Sequence, residues 1–256
     1  MNKISPEIKE FLDEMVVKYN NPQFIVSDPV SIPHLYDLKE DIEISGFLAA
    51  TIAWGNRTVI LRNGFKLMEF MGNSPYDFVM NHREDHLTLL EGFVHRTFNH
   101  VDLIYFIKAL KNIYLNHGGL EPLFARSVTE FSTQPAISNF RKEFFGQSDP
   151  GRTAKHISDP ANNSAAKRLN MYLRWLVRSD NKGVDFGLWK SISPHQLSCP
   201  LDVHSGNVAR KLGLLTRSQN DSKAVAELDA NLREMDKYDP VKYDFALFGL
   251  GVFEKF

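Results

Sequence analysis

The sequence predicts an all-α protein. Apolar residues recur at three- and four-residue steps through most of the chain, the period of an amphipathic helix. No stretch shows a convincing apolar–polar alternation of the kind a half-buried strand requires. Glycine and proline fall mainly between the periodic runs, where helices start and stop. With 256 residues and 43% hydrophobic content, the chain is long enough to bury a core in one large domain or two lobes.

Ser5 to Lys18 opens the chain as a helix, with Ser5-Pro6 as its start and Ile8, Phe11, Leu12, Met15 and Val16 on one face. Asn20 to Pro33 has few periodic residues and reads as an extended connection. Leu38 to Trp54 is apolar nearly all round in its second half, which marks a buried helix. It breaks at Gly55-Asn56-Arg57, and a second helix runs on to Met71, so the pair reads as a helical hairpin in the core. Pro75 to Met80 and Glu84 to Leu90 are short helical pieces. Phe93 to Asn99 reads as a loop. Val101 to His117 is a helix ended by Gly118-Gly119, and Leu120 to Ala125 adds a turn. Ser127 to Phe145 reads as a helix interrupted by Pro135, and Gly146 to Pro160 as a loop.

Asn162 to Arg178 carries two stripes. Ala165, Ala166, Leu169, Tyr172, Leu173 and Leu176 form an apolar face. Asn163, Lys167, Asn170, Arg174 and Arg178 form a polar one whose ionised members are all basic. From Arg141 to Arg178 there are eight Lys or Arg against three acids, although the whole chain has a net charge of −1. A local basic face of this kind is where several phosphates could be met; it is also a common solvated surface.

Cys199 to Leu215, CPLDVHSGNVARKLGLL, organises the rest. Asp202 falls where a helix should begin, a position where a carboxylate caps free N–H groups and the helix dipole favours negative charge. Val203, Val208, Ala209 and Leu212 follow at helical spacing, and Gly213 ends the run. Ser222 to Met235 and Pro240 to Leu250 complete the helices. The expected division is a bundle lobe over residues 41–198 and a second lobe from 1–40 with 199–256.

Leu201-Asp202-Val203-His204 resembles the Val-Asp-Thr-His signature of the helix-hairpin-helix (HhH-GPD) DNA glycosylase superfamily. Lys167, on the preceding basic helix, falls where that family carries its lysine nucleophile. The strings AAKRLNMYLRWLVR, PLDVHSGNVARKLGLL and DPVKYDFALFGLG look like a related bacterial family without an assigned activity. Among glycosylases of known activity the pattern is most similar to the archaeal 8-oxoguanine branch. The chain departs from the superfamily in its hairpin. Asp159-Pro160-Ala161-Asn162-Asn163-Ser164 stands where the family has Leu-Pro-Gly-Val-Gly, and Gly183 to Ile192 has no counterpart.

The resemblance implies a two-lobed helical fold and a glycosylase with lyase activity on an oxidised, 8-oxoguanine-like base. A flipped base is attacked at the sugar C1′ by Lys167. The amine attacks in its neutral form, which partial burial or a neighbouring Arg168 or Arg174 would favour. Asp202 stabilises the developing positive sugar and helps accept the lysine proton. Damaged duplex DNA is the implied partner. Asn56, Arg57, Asn163, Ser164, Arg168, Asn170, Arg174 and Arg178 are its candidate contacts, with Trp189 and His204 at the base pocket. Two other readings stand beside the enzyme: a nucleic-acid-binding module that has lost catalysis, and a helical interaction protein with no nucleic-acid role.

No cofactor or metal is expected. One cysteine, Cys199, excludes an internal disulfide and a self-contained iron–sulfur cluster, and fits a reducing cytoplasm. His82 and His86 stand four apart, a zinc-compatible spacing, but in a short charged stretch that reads as a solvated turn. No apolar run approaches the ~20 residues a membrane span needs. The N-terminal residues lack the apolar core of a signal peptide. Nucleophile-elbow, P-loop and dinucleotide patterns are absent from the sequence.

Overall fold

The structure is a computed structural model that describes residues 4–256. In chain order it contains α1 (Pro6–Tyr19), α2 (Pro22–Val26), α3 (Lys39–Thr51), α4 (Arg57–Phe70), α5 (Pro75–Asn81) and α6 (Glu84–Thr88). The strands β1 (Val94–His95) and β2 (Phe98–Asn99) follow. Then come α7 (His100–His117), α8 (Leu120–Ala125), α9 (Gln134–Phe144), α10 (Lys167–Val177), α11 (Val203–Lys211), α12 (Ser222–Met235) and α13 (Tyr243–Gly249). The all-α class holds: the only sheet among the described residues is the β1–β2 pair.

Three local expectations change. Residues 93–99 are not a plain loop: Val94 pairs with Asn99 and His95 with Phe98 across a turn in which Arg96 takes a positive φ of 54°. Two residues per strand are too few to show an alternation. Residues 20–33 are not extended but hold α2 and a 3-10 turn at Pro29–Ser31. Proline there starts a turn instead of breaking one, because its fixed φ suits the first helical position. Finally, α9 begins at Gln134, with Pro135 in its first turn, where a missing N–H costs nothing.

The chain divides into two compact units. One is Ile25–Arg126 with Asn139–Ile157; the other joins the segment ending at Phe24 to Ser127–Ser138 and Ser158–Phe256. The expected boundary at 198/199 is therefore displaced, and α10 belongs with the C-terminal helices. Its Arg174 and Arg178 pair there with Asp244 and Asp239.

In the first unit α3 is buried from Ile42 through Thr51 and packs against α4 and α5. Phe47 meets the rings of Phe106, Phe140 and Phe144 at 5.7, 5.5 and 5.6 Å. Buried Glu43 accepts a hydrogen bond from the Tyr114 hydroxyl at 2.6 Å. In the second unit Leu12, Val208, Leu228, Leu232 and Leu247 form a core between α1, α11, α12 and α13. Burying each such side chain contributes about 1.5–3 kcal/mol. Gly249 lets α1 and α13 meet closely: a Cβ there would lie 2.2 Å from the Tyr19 ring.

Candidate functional site

Lys167 is the first residue of α10. The preceding segment is built to deliver it. A 3-10 turn, Pro160–Asn162, is capped by Asp159, whose carboxylate accepts from Ala161 N–H at 3.0 Å and from Asn162 Nδ2 at 2.7 Å. Asn163 then takes a φ of 64°, a left-handed conformation that asparagine tolerates. Ala166 takes a φ of 44° immediately before the helix. For an alanine that is strained by about 1 kcal/mol, and such strain persists only where surrounding contacts impose it.

Asp202 is the N-cap of α11. Its Oδ1 accepts from His204 N–H at 2.8 Å and Ser205 N–H at 3.0 Å, and its own N–H donates to Ser205 Oγ at 2.9 Å. This reciprocal capping box occupies one carboxylate oxygen. The other, Oδ2, lies 3.6 Å from Lys167 Nζ. That is ion-pair range, too long for a direct hydrogen bond. The two side chains are 27% and 21% exposed, so the pair is shielded but reachable. The first residue of one helix and the N-cap of another thus face each other, one with an amine and one with a carboxylate.

The basic stripe requires correction. Arg174 and Arg178 are buried in ion pairs and do not form a phosphate-binding face. Arg174 Nε donates to Asp185 at 3.2 Å, Nη1 donates to Asp244, and the guanidinium lies 4.2 Å from the centre of the Phe245 ring. Arg178 meets Asp185 and Asp239 at 3.0 Å each and Asp180 at 2.8 Å. Asn170 is buried as well: its Oδ1 accepts from Gln134 Nε2 at 2.8 Å, and its Nδ2 donates to the Ala165 carbonyl at 3.0 Å. The charge count from 141 to 178 stopped short of the acids that neutralise it, which lie downstream.

Asn163, which is exposed, and half-buried Ser164 are engaged with the start of α12. Ser164 forms a bridge with Asp221, Asn163 Nδ2 donates to Asp221 at 3.3 Å, and Ser222 Oγ donates to Asn163 at 3.0 Å. The Arg217 guanidinium holds Asp221 far below the usual carboxylate range. Arg168 is half-buried, and desolvation draws its guanidinium down to about 10, still cationic at neutral pH.

Trp189 is a core residue, not a stacking platform. It is 1% exposed and meets Tyr172 edge-on at 5.6 Å. The unassigned segment 183–192 seals the end of α10. Phe186 N–H donates to the Trp175 carbonyl at 2.7 Å and Trp189 N–H to that of Leu176 at 2.9 Å, satisfying groups a helix C-terminus leaves open. Its Asp185 supplies the carboxylate shared by both arginines.

His204 is exposed on the first turn of α11. Asn56 and Arg57 lie in the other unit; Asn56 caps α4, accepting from Val59 N–H at 3.2 Å. Among the described residues no group of His, Cys, Asp and Glu is placed to hold a metal, and no helix is long and apolar enough to cross a membrane.

A family profile covers residues 28–253. The chain belongs to the DUF2400 family. The family's description is a protein of unknown function (DUF2400), so membership names no chemistry. No curated protein and no solved structure matches the chain.

In this DUF2400 chain the sequence reading missed Asp185, Asp229 and Asp244. Asp229 is buried in α12 and accepts the Cys199 N–H at 2.8 Å; burial pushes its carboxyl up to about 6. Asp244 is buried beside Arg174 and Cys199. A signal existed for both: each is an acid inside a run whose neighbours, Leu228 and Phe245 to Leu247, are core residues.

Proposed function

We propose that this DUF2400 protein is a DNA glycosylase with lyase activity that removes an oxidised base, 8-oxoguanine-like in class, through a lysine Schiff base. One observation carries the reading: Lys167 Nζ stands 3.6 Å from Asp202 Oδ2 at the start of two helices, with both groups partly exposed. A nucleophile and a carboxylate at this separation have the arrangement that attack on C1′ needs. The neutral amine adds to C1′ as the glycosidic bond breaks, and the bonding pair leaves with the base, which takes up a proton. Asp202 opposes the positive charge on the sugar and accepts the amine proton. Sugar-ring opening gives the Schiff base, and elimination of the 3′ phosphate follows. The capping bonds on Oδ1 fix the Asp202 carboxylate, so its free oxygen needs little reorganisation.

Arg174 and Arg178 are engaged within the fold, so DNA would be met by other side chains. Of the candidate contacts, Asn56, Asn163 and His204 are exposed, and Arg57, Ser164 and Arg168 are half-buried.

The test is borohydride trapping on duplexes carrying oxidised, deaminated or alkylated bases. Wild type should form a covalent adduct with at least one, and Lys167→Ala should form none while still folding. Asp202→Asn should slow base release by a factor of about 10² to 10⁴. DNA binding without adduct or base release on any substrate would replace the enzyme by a binding module. An adduct persisting in Lys167→Ala would assign the nucleophile elsewhere, with exposed Lys155 the next to examine.

A further inference from the structure

Lys167 and Asp202 stand at the start of two different helices. A capping box fixes each residue only within its own helix. The distance from one helix to the other must be set by something that touches both. Three consecutive residues at the entry to α12, Asn220-Asp221-Ser222, do so.

Asn220 serves the Asp202 side. Its Nδ2 donates to the Asp202 main-chain carbonyl at 2.8 Å, and its Oδ1 accepts from Arg210 Nη2 at 2.6 Å. The orientation of the amide is forced. A guanidinium has no acceptor, so the amide oxygen faces Arg210 and the NH₂ faces the carbonyl. Arg210 Nε also donates to the Arg217 carbonyl at 2.8 Å, which anchors the loop that carries Asn220. Gly206 of α11 leaves room for the amide: a Cβ there would lie 2.8 Å from Asn220 Oδ1.

Asp221 and Ser222 serve the Lys167 side. Asn163 Nδ2 donates to Asp221 Oδ2 at 3.3 Å, and Ser222 Oγ donates to Asn163 Oδ1 at 3.0 Å. Ser222 N–H donates to the Asn163 carbonyl at 3.4 Å, and Ser164 bridges Asp221. Ser164 Oγ in turn accepts from Ala166 N–H at 3.1 Å, one residue before Lys167. These bonds hold the segment that contains the left-handed Asn163 and Ala166. A backbone in that conformation stays there only while its surroundings impose it.

We propose that Asn220-Asp221-Ser222 is a positioning clip for the Lys167–Asp202 pair, with Asn220 as its key residue: it sets the 3.6 Å separation of Nζ and Oδ2 by holding the backbone on both sides. The proposal rests on the reading of Lys167 and Asp202 as the reactive pair. The clip acts through the Asp202 carbonyl and through residues 163–166, leaving the amine and the free carboxylate oxygen to the substrate.

The experiment is zero-length cross-linking of full-length protein with a water-soluble carbodiimide, read by mass spectrometry of the digest. The reagent joins an amine to a carboxylate already in contact and leaves no atoms of its own between them. The Lys18–Glu254 pair, 2.5 Å apart, is the internal reference. Wild type should give a Lys167–Asp202 cross-link. In Asn220→Ala its yield relative to Lys18–Glu254 should fall about fivefold, the change in population that losing one ordinary hydrogen bond produces. Asn220→Asp keeps an acceptor for Arg210 but cannot donate to the Asp202 carbonyl, so it should match Asn220→Ala. If Asn220→Ala does not fold, Ser222→Ala carries the same test from the Lys167 side. A lowered melting temperature with an unchanged ratio would make the clip purely structural and overturn the proposal. So would wild-type protein that cross-links Lys18 to Glu254 but not Lys167 to Asp202. On any duplex that wild type traps with borohydride, Asn220→Ala should trap more slowly at unchanged DNA affinity; an equal rate overturns the proposal. Cross-linking uses no DNA, so a clip that holds in a protein that traps no duplex would end the glycosylase reading alone.

Discussion

Asp229→Asn offers a quantitative test of how this core treats buried acids. Asp229 is 5% exposed, its carboxylate accepts the Cys199 N–H at 2.8 Å, and burial raises it from 3.8 to about 6 against the opposing effects of that bond and of Arg233. The folded state therefore holds the proton more tightly than the unfolded state. Between about pH 4 and pH 6 the native protein binds the extra proton, so stability falls as pH rises through that window and levels off above it. About two pKa units at roughly 1.4 kcal/mol each gives ~3 kcal/mol for this one group. Asparagine cannot ionise, and its carbonyl can still accept the Cys199 N–H. Urea unfolding of wild type and variant at pH 4.5, 5.5, 6.5 and 7.5 gives the difference in stability at each pH. Other carboxylates are common to both proteins and cancel. The variant should gain about 2 kcal/mol on wild type between pH 4.5 and pH 7.5, the part of the ~3 kcal/mol that is lost above pH 4.5. A difference that stays flat within about 0.5 kcal/mol, the usual limit of additivity, would refute the claim that burial dominates this carboxyl.

Two further substitutions probe the ends of the candidate site. Arg178→Ala leaves Asp185, Asp239 and Asp180 without their shared guanidinium; thermal unfolding should show a loss of roughly 3–5 kcal/mol, the scale for breaking a buried pair, where a solvated arginine would cost almost nothing. Asp202→Ala should lose about 1 kcal/mol more stability than Asp202→Asn in urea, because asparagine caps helices and alanine does not, although both remove the carboxylate that faces Lys167.

Helix positions were largely legible because periodicity reports a local property. Ser222 to Met235 was bounded correctly, since Asp221 caps it and Asp236 follows the last apolar residue. The position of Asp202 was legible for the same reason: an N-cap is set by its own two or three neighbours. Burial of Arg174 and Arg178 was not legible. It depends on Asp180, Asp185, Asp239 and Asp244, which lie 2 to 70 residues away, and a helical projection of Asn162 to Arg178 shows a basic stripe whether or not acids arrive to cover it. The grouping of α10 with the C-terminal helices was hidden in the same way, since its ionic partners Asp239 and Asp244 are far along the chain.

Segments 159–164 and 183–192, where the chain departs from the glycosylases it resembles, both serve to fix α10. If Lys167 attacks a carbon as proposed, it has to be held within about 0.5 Å of its working geometry, which favours the end of a rigid helix over a loop. α10 is fixed at its start by Asn163 and Ser164 against Asp221 and Ser222, and at its end by Phe186 and Trp189 on the Trp175 and Leu176 carbonyls. Arg174 and Arg178 hold its middle and far end against four carboxylates. Polar and basic residues of 163–178 are thus used to immobilise the helix. Lys167 stays partly exposed at its first position. The chain thus invests its polar groups in holding one amine against one carboxylate, and any nucleic acid that reaches them must be gripped by side chains other than Arg174 and Arg178.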